Sequence, residues 1–344
     1  MHTTVFFATN RRLIGPGDKA ADYAGEQGPA GQPGRLTHAM AEVERADLAR
    51  RETGALRSIA GVAPDDFSAA LSRRLEQGGN LLVFLHGFAN SFSDALRRAA
   101  FNRDWLAGSR LPGADCTVIA FSWPSGGVVV DGKTVAPGLL VAPVSLVLLL
   151  AGVVASPLAG AYLEDQRQAE ASAADLVSFL DRLRPLAQTL RKRGGRVALL
   201  AHSMGNLVLQ RGLERWEGMA FPGEPLFDVA ISASPDTGWA EKDGAGPRWL
   251  ALLGKLSTKV DLLHSQQDTI LALSHKVNGM KRLGLSGPGD KDVPGRYDPA
   301  RFRFLDCSGY RDDAPNPSID QSHQFYRRLE PVRDLMARAV AGVP

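Results

Sequence analysis

The sequence predicts an α/β protein with a mostly parallel central sheet and helices on both of its faces. Three observations carry this. Asn80 to Leu85 (NLLVFL) and Cys116 to Trp123 (CTVIAFSW) are continuous apolar runs, as expected of strands buried on both faces of a parallel sheet. Helix-period segments alternate with such runs along the chain, the pattern of right-handed βαβ units. From Arg196 to Leu209 (RVALLAHSMGNLVL), an apolar strand ends at Ala201, Ser203 follows between small residues, and a helical pattern begins at once.

Taken in order, Thr3 to Thr9 is β-branched and aromatic and predicts a first strand. Gly15 to Gly34, rich in Gly, Pro, Asp and Gln, predicts a surface loop, and Leu36 to Arg45 a second strand. Ala46 to Ala63 is polar and gives no clear element. Asp65 and Asp66 cap a helix from Phe67 to Gln77 with Phe67, Ala70, Leu71 and Leu75 on one face. After NLLVFL comes His86-Gly87-Phe88, then a helix that Ser91 or Ser93 can cap. Thr134 to Leu163 holds no charged residue, and Leu139 to Ala161 is apolar apart from Ser145 and Ser156. It is long enough to span a bilayer, but Pro143, Pro157 and its position between two elements of one sheet argue against a span. A cap-forming or buried helix is the first reading, a membrane-touching segment the second. Glu164 to Lys192 predicts one long helix with Pro185 as a kink or break. Strands follow at Phe227 to Ala233, Lys259 to His264 and Arg301 to Leu305, with helices through Trp249 to Leu256 and Thr269 to His275 and a loop from Gly284 to Gly295. A final helix is expected from near Ser322 to Ala341.

Hydrophobic residues at 44% and charged residues at 22% describe one ordinary globular domain over residues 1–344, interrupted by the apolar insertion at 126–163. A net charge of +3 with scattered basic residues gives no case for nucleic acid. The two cysteines, Cys116 and Cys307, lie far apart at strand edges and are read as reduced core thiols, with no metal site. Met1 to Asn10 lacks the charged region and long apolar run of a signal peptide, so the expected location is cytoplasmic, with membrane association left open.

The chemistry centres on Ser203. A serine at the apex of a strand–turn–helix has its hydroxyl lifted from the sheet edge, and the next N–H, that of Met204, points where a substrate oxygen would sit. Ala201 stands where glycine is commoner, yet is small enough for helix and strand to cross. A serine nucleophile needs a base and an orienting acid. Downstream of Ser203 lie His264, His275 and His323. His264 ends a strand and His275 lies within a helix, which suits structural roles. His323, on a polar loop after the last strand, can reach the turn. Asp268 follows the penultimate strand by a short loop and is the first choice of acid; Asp236, after the strand before it, is the alternative. Either could instead cap a helix. A second oxyanion donor is expected from Phe88, which Gly87 allows to turn its N–H inward. His86, Gly87, His202 and Trp123 are expected to line the site.

With these residues placed, the chain resembles the α/β-hydrolases, and within them a bacterial esterase/lipase-like group, domain of unknown function 900. The resemblance rests on Val5 to Arg11 (VFFATNR), Phe84 to Ala99 (FLHGFANSFSDALRRA), Phe121 to Ser125 (FSWPS) and Ala201 to Asn206 (AHSMGN), with Ser234-Pro235-Asp236, Ser265 to Asp268 and Ser322-His323. It implies an α/β-hydrolase fold, Ser203 as nucleophile, Asp268 as acid, His323 as base, and Phe88 and Met204 as oxyanion donors. The expected activity is therefore ester hydrolysis through an acyl-enzyme, without cofactor. Thioesterase, amidase or acyltransferase chemistry on the same triad is the near alternative, and a non-catalytic membrane-associated scaffold the distant one. The insertion from Gly126 to Ala161 and the loop from Gly15 to Gly34 exceed the family pattern. A small ester with an apolar acyl part is the expected substrate, and 139–161 the expected point of any peripheral membrane contact.

Overall fold

The structure is a computed structural model, and it describes residues 1–28, 36–76, 79–126, 157–219, 223–241, 245–312 and 321–343. Its chain builds eleven strands and nine α-helices among those residues. The first half contributes β1 (His2–Thr9), β2 (Arg11–Leu13), β3 (Tyr23–Gln27), β4 (Thr37–Glu44), β5 (Leu56–Gly61), α1 (Pro64–Glu76), β6 (Asn80–Leu85), α2 (Phe92–Ala107) and β7 (Cys116–Ser122). The second contributes α3 (Pro157–Ala171), α4 (Ala173–Lys192), β8 (Val197–His202), α5 (Gly205–Glu217), β9 (Phe227–Ala233), α6 (Arg248–Leu256) and β10 (Ser257–His264). It closes with α7 (Thr269–Asn278), α8 (Leu283–Ser286), β11 (Phe302–Asp306) and α9 (Glu330–Ala341).

Nine of these strands form one sheet in the order β11-β10-β9-β8-β6-β7-β1-β4-β5. Every neighbouring pair from β11 to β1 is parallel, while β4 runs against both β1 and β5. Successive side chains of the central strands therefore enter two cores. Leu81, Val83 and Leu85 of β6 pack with α1, α4, α5 and α6; Leu82 and Phe84 pack with α2 and α9. Burial on both faces explains the unbroken apolar runs. The connection from β6 leads to β7 on one side, and β7 then leads back across β6 to β8 on the other. At such a reversal two crossover connections diverge and leave a crevice at the carboxyl ends of the strands.

Local chemistry accounts for several boundaries. Of the two serines at the start of α2, Ser91 is the cap, its Oγ accepting from the Asp94 N–H at 3.1 Å. Pro185 lies inside α4 without ending it, and buried Leu183, Ala187 and Leu190 continue the inward face on both sides. Packing of that face outweighs the lost hydrogen bond.

Four expectations are corrected. The span read as a single loop from Gly15 holds a 3-10 turn (Ala20–Asp22) and then β3, which pairs antiparallel with β2. The polar stretch Ala46 to Ala63 contains β5, an edge strand whose outward residues carry no apolar signal. The helix read from Glu164 begins at Pro157 and divides at Ser172 into α3 and α4, so its first turn comes from the end of the apolar segment. The last helix divides too: Gln321–Arg327 is 3-10, and α9 starts beyond it with Pro331 in its first turn. No helix among the described residues is long and apolar enough to cross a membrane. Residues 127–156, which hold most of the apolar insertion, lie outside the described residues.

Candidate active site

Ser203 sits between the end of β8 and the start of α5, and its φ is +54°, in the left-handed region. For a residue with a Cβ that conformation costs roughly 1–2 kcal/mol. The turn is over-determined by its surroundings. The Ser203 N–H donates to Ala233 O at 3.0 Å, and Ser203 O accepts from the Asp236 N–H at 3.2 Å. Asn206 Nδ2 donates to Ala201 O at 3.0 Å and to Ser203 O at 3.2 Å. A Cβ on Gly205 would lie 2.6 Å from His86 O and 2.7 Å from Leu85 O, so glycine is what lets α5 start against β6. A Cβ on Gly87 would lie 2.8 Å from the Ser203 Cβ. The His86-Gly87-Phe88 turn thus presses directly on the serine.

Asp268 and His323 meet across 55 residues. The Nδ1–H of His323 donates to Asp268 Oδ2 at 2.7 Å, and both side chains are buried. The other oxygen, Oδ1, accepts the Leu271 N–H at 2.9 Å and caps α7. Helix cap and partner of the histidine were alternatives in the sequence; the aspartate does both, one oxygen each. This leaves the carboxylate fully occupied and its orientation fixed by a helix start. His323 is tied to both flanks of the serine through its carbonyl, which accepts from His202 Nε2 at 3.2 Å and from Ser234 Oγ at 3.4 Å. The Ser203 hydroxyl itself bonds to none of the described residues. In serine relays that last bond is often long until substrate arrives.

Asp236, the alternative acid, has other partners among the described residues. Asp236 Oδ1 accepts from Arg282 Nε at 2.7 Å and from Ser274 Oγ at 2.5 Å, and Oδ2 accepts from the Tyr162 hydroxyl at 2.8 Å. Its carboxylate is consumed in a buried ion pair and reaches no histidine. Burial and the nearby Asp236 charge together raise the Tyr162 hydroxyl pKa above its usual range, so tyrosine remains a donor.

His86, His202 and Trp123, expected to line the site, are all buried. His86 stacks on Trp123 at 5.1 Å, and Trp123 Nε1 donates to His86 O at 2.8 Å. Burial drives His86 down to about 3, and burial with the His323 charge nearby holds His202 well below the ordinary histidine range. Both are neutral spacers. The His202 ring lies 4.7 Å from that of His323 and 4.6 Å from that of Tyr326. Of the other two downstream histidines, His264 is buried and His275 exposed.

Phe88 and Met204 bracket the turn, and neither N–H has an acceptor among the described residues. A developing oxyanion requires two donors with no competing acceptor. The residues that sequence reasoning missed are those behind this loop. Asn90 Nδ2 donates to Gly87 O and Phe88 O, each at 2.8 Å. Arg11, 3% exposed, donates to Asn90 O at 3.0 Å and to Ser122 Oγ at 3.3 Å. Burial lowers its guanidinium to about 10, the nearby Asp165 carboxylate opposing. The VFFATNR and FSWPS stretches had marked Arg11 and Ser122 without a role. Their role is to meet behind the loop.

No group of acidic, histidine or cysteine side chains suited to a metal ion occurs among the described residues, and Cys116 and Cys307 are unpaired and buried. The parallel sheet, the reversal at β6 and the strained serine turn after β8 define an α/β hydrolase. Residues 63–314 match the family described as alpha/beta hydrolase of unknown function (DUF900), and the chain belongs to it. No curated protein matches the chain.

Proposed function

We propose that the protein is a serine hydrolase cleaving carboxylic esters through an acyl-enzyme on Ser203. The observation that carries this reading is the 2.7 Å Asp268–His323 pair fastened beside a serine held at positive φ. His323 takes the Ser203 proton as Oγ attacks the ester carbonyl, and the carbonyl π pair moves onto oxygen, where the Phe88 and Met204 N–H groups receive it. The C–O bond to the leaving alcohol breaks as His323 returns the proton. Water, deprotonated by the same histidine, then adds to the acyl carbon, and the bond to Ser203 Oγ breaks as His323 returns that proton to Oγ, releasing the acid. Asp268 holds the imidazole in the tautomer that keeps Nε2 available as base.

The roles are tested with p-nitrophenyl esters of short acyl chains on wild type and Ser203→Ala. Ester turnover that disappears in the variant supports the reading; turnover that persists contradicts it. A matched set of ester, thioester and amide substrates separates esterase from the other acyl-transfer chemistries that the same residues could serve. Peripheral membrane contact through 139–161 is part of the proposal. Replacing Leu148 and Leu150 by glutamate should abolish flotation with liposomes, and equal flotation of both proteins would remove that contact.

A further inference from the structure

The helix that leaves the apolar segment, α3, touches both the Asp236 ion pair and the Phe88 loop from one face. Tyr162 and Asp165 are one turn apart, so their side chains share a side. Tyr162 reaches Asp236 beside β9 and packs edge-on against the Phe88 ring at 5.5 Å. Asp165, 1% exposed, reaches the loop that carries Phe88. Its Oδ2 accepts the Ala89 N–H at 3.1 Å and the Ser125 hydroxyl, and its Oδ1 accepts the Gly126 N–H at 2.7 Å. Ser125 Oγ in turn accepts the Asn90 N–H at 3.1 Å. The two residues that follow Phe88 are therefore both fixed by Asp165, one directly and one through Ser125.

Ala89 is the reason this matters. Its φ is +55°, and alanine holds that conformation only where neighbours enforce it. The Phe88 N–H lies in the peptide plane of the Gly87 carbonyl, which accepts from Asn90 Nδ2 at 2.8 Å, and the reversal at Ala89 brings Asn90 back to make that bond. A buried carboxylate carries a desolvation cost of several kcal/mol, and apolar packing would anchor a helix more cheaply. Burial does push the Asp165 carboxyl up, and its hydrogen bonds, with the Arg11 charge behind, oppose that push. All three of its partners are donors, which an ionised carboxylate satisfies without conflict.

We propose that Asp165 is the positioning residue of the oxyanion loop: from α3 it holds Ala89 in the left-handed conformation and thereby aims the Phe88 N–H at the substrate oxygen. The inference rests on Phe88 being an oxyanion donor in the hydrolase reading above. It also makes α3, the first described element after the apolar segment, a part of the machinery that stabilises the transition state.

The test compares Asp165→Asn and Ser125→Ala with wild type by kcat and KM on a p-nitrophenyl ester, by inhibition with an alkyl trifluoromethyl ketone, and by thermal unfolding. The ketone reports the hole directly: Ser203 Oγ adds to its carbonyl carbon, the π pair becomes an oxyanion, and the serine proton passes to His323. Removing one oxyanion donor costs about 10²–10³ in kcat, so a misaimed one should cost about 10–100-fold. Asp165→Asn should show that loss in kcat with KM within about two-fold, and the ketone Ki should rise by the same factor. Ser125→Ala, which keeps the carboxylate and loses one relay, should show a smaller loss in the same ratio and serves if Asp165→Asn does not fold. Wild-type kcat and Ki in both folded variants, with only the melting temperature lowered, would overturn the role of Asp165 alone. Wild type inert to ester and ketone alike would overturn the hydrolase reading and this inference together.

Discussion

Asp268 and Asp236 are two buried aspartates of similar setting with different partners, and substitution should separate their roles. Asp268→Asn removes the anion facing His323 Nδ1 while an amide oxygen can still cap α7. We expect kcat to fall by about 10²–10⁴ with little loss of stability. Asp236→Asn leaves Arg282 buried without its counter-charge. That should cost about 3–5 kcal/mol in denaturant unfolding, while the folded fraction keeps its kcat per reactive serine. The opposite assignment, activity lost at Asp236 and stability lost at Asp268, would refute the division. Why the sequence left these two open is physical. Each is an aspartate one short loop beyond a parallel strand and before a helix, and either could cap. What separates them is Arg282 and Tyr162 on one and His323 on the other, residues 46, 74 and 55 positions away that only the sheet brings together.

At the scale of elements, the crossing of α5 over β6 depends on two hydrogens in place of methyl groups. Gly87→Ala would drive a methyl into the Ser203 Cβ, and Gly205→Ala into the carbonyls of Leu85 and His86. The first contact is with a side chain on a turn, the second with rigid backbone. Gly87→Ala should therefore fold and lose most ester turnover by displacing the serine and the Phe88 N–H. Gly205→Ala should lower the unfolding midpoint, by about 1–3 kcal/mol in the range of overpacked cores. Kinetics and urea titration on the two variants check this; a fully active Gly87→Ala would contradict the close packing. The parallel strands and the turn at Ser203 were legible because burial on two faces and a strand–turn–helix both write themselves into consecutive residues. The edge strand β5, the β2–β3 hairpin and the break at Ser172 were not. Edge strands expose one face and tolerate polar residues there, and the α3–α4 break is stabilised by long-range contacts, such as Asn10 Nδ2 donating to Ser172 Oγ at 3.0 Å.

For the molecule as a whole, the buried histidines fix how stability depends on pH. His86 at about 3, His264 at about 4 and His202 well below the usual range are all depressed, by burial first of all. Their folded state binds fewer protons than the unfolded chain, where histidine titrates near 6.5. Their contribution to stability is thus present above about pH 6.5 and is lost as pH falls toward 4, at up to about 1.4 kcal/mol per pH unit for each group. His38, lowered by burial and by the Arg182 charge, works in the same sense, and Asp165, whose carboxyl is raised, in the opposite one. Urea midpoints should decline from pH 7 to pH 5, and His264→Gln, which lies outside the proposed triad, should reduce that slope. A midpoint independent of pH in this range would show that the histidines are not held neutral.

The central claim is that the strained serine at the β8–α5 turn is a nucleophile activated by the Asp268–His323 pair. It is tested most directly by treating folded wild type with a fluorophosphonate probe and reading the adduct by intact mass and peptide mapping, beside Ser203→Ala and His323→Ala. One adduct is expected on Ser203 of wild type and none on Ser203→Ala, with labelling slowed by at least about a hundredfold in His323→Ala. A folded wild type that takes up no probe, or an adduct that persists in Ser203→Ala, would contradict it.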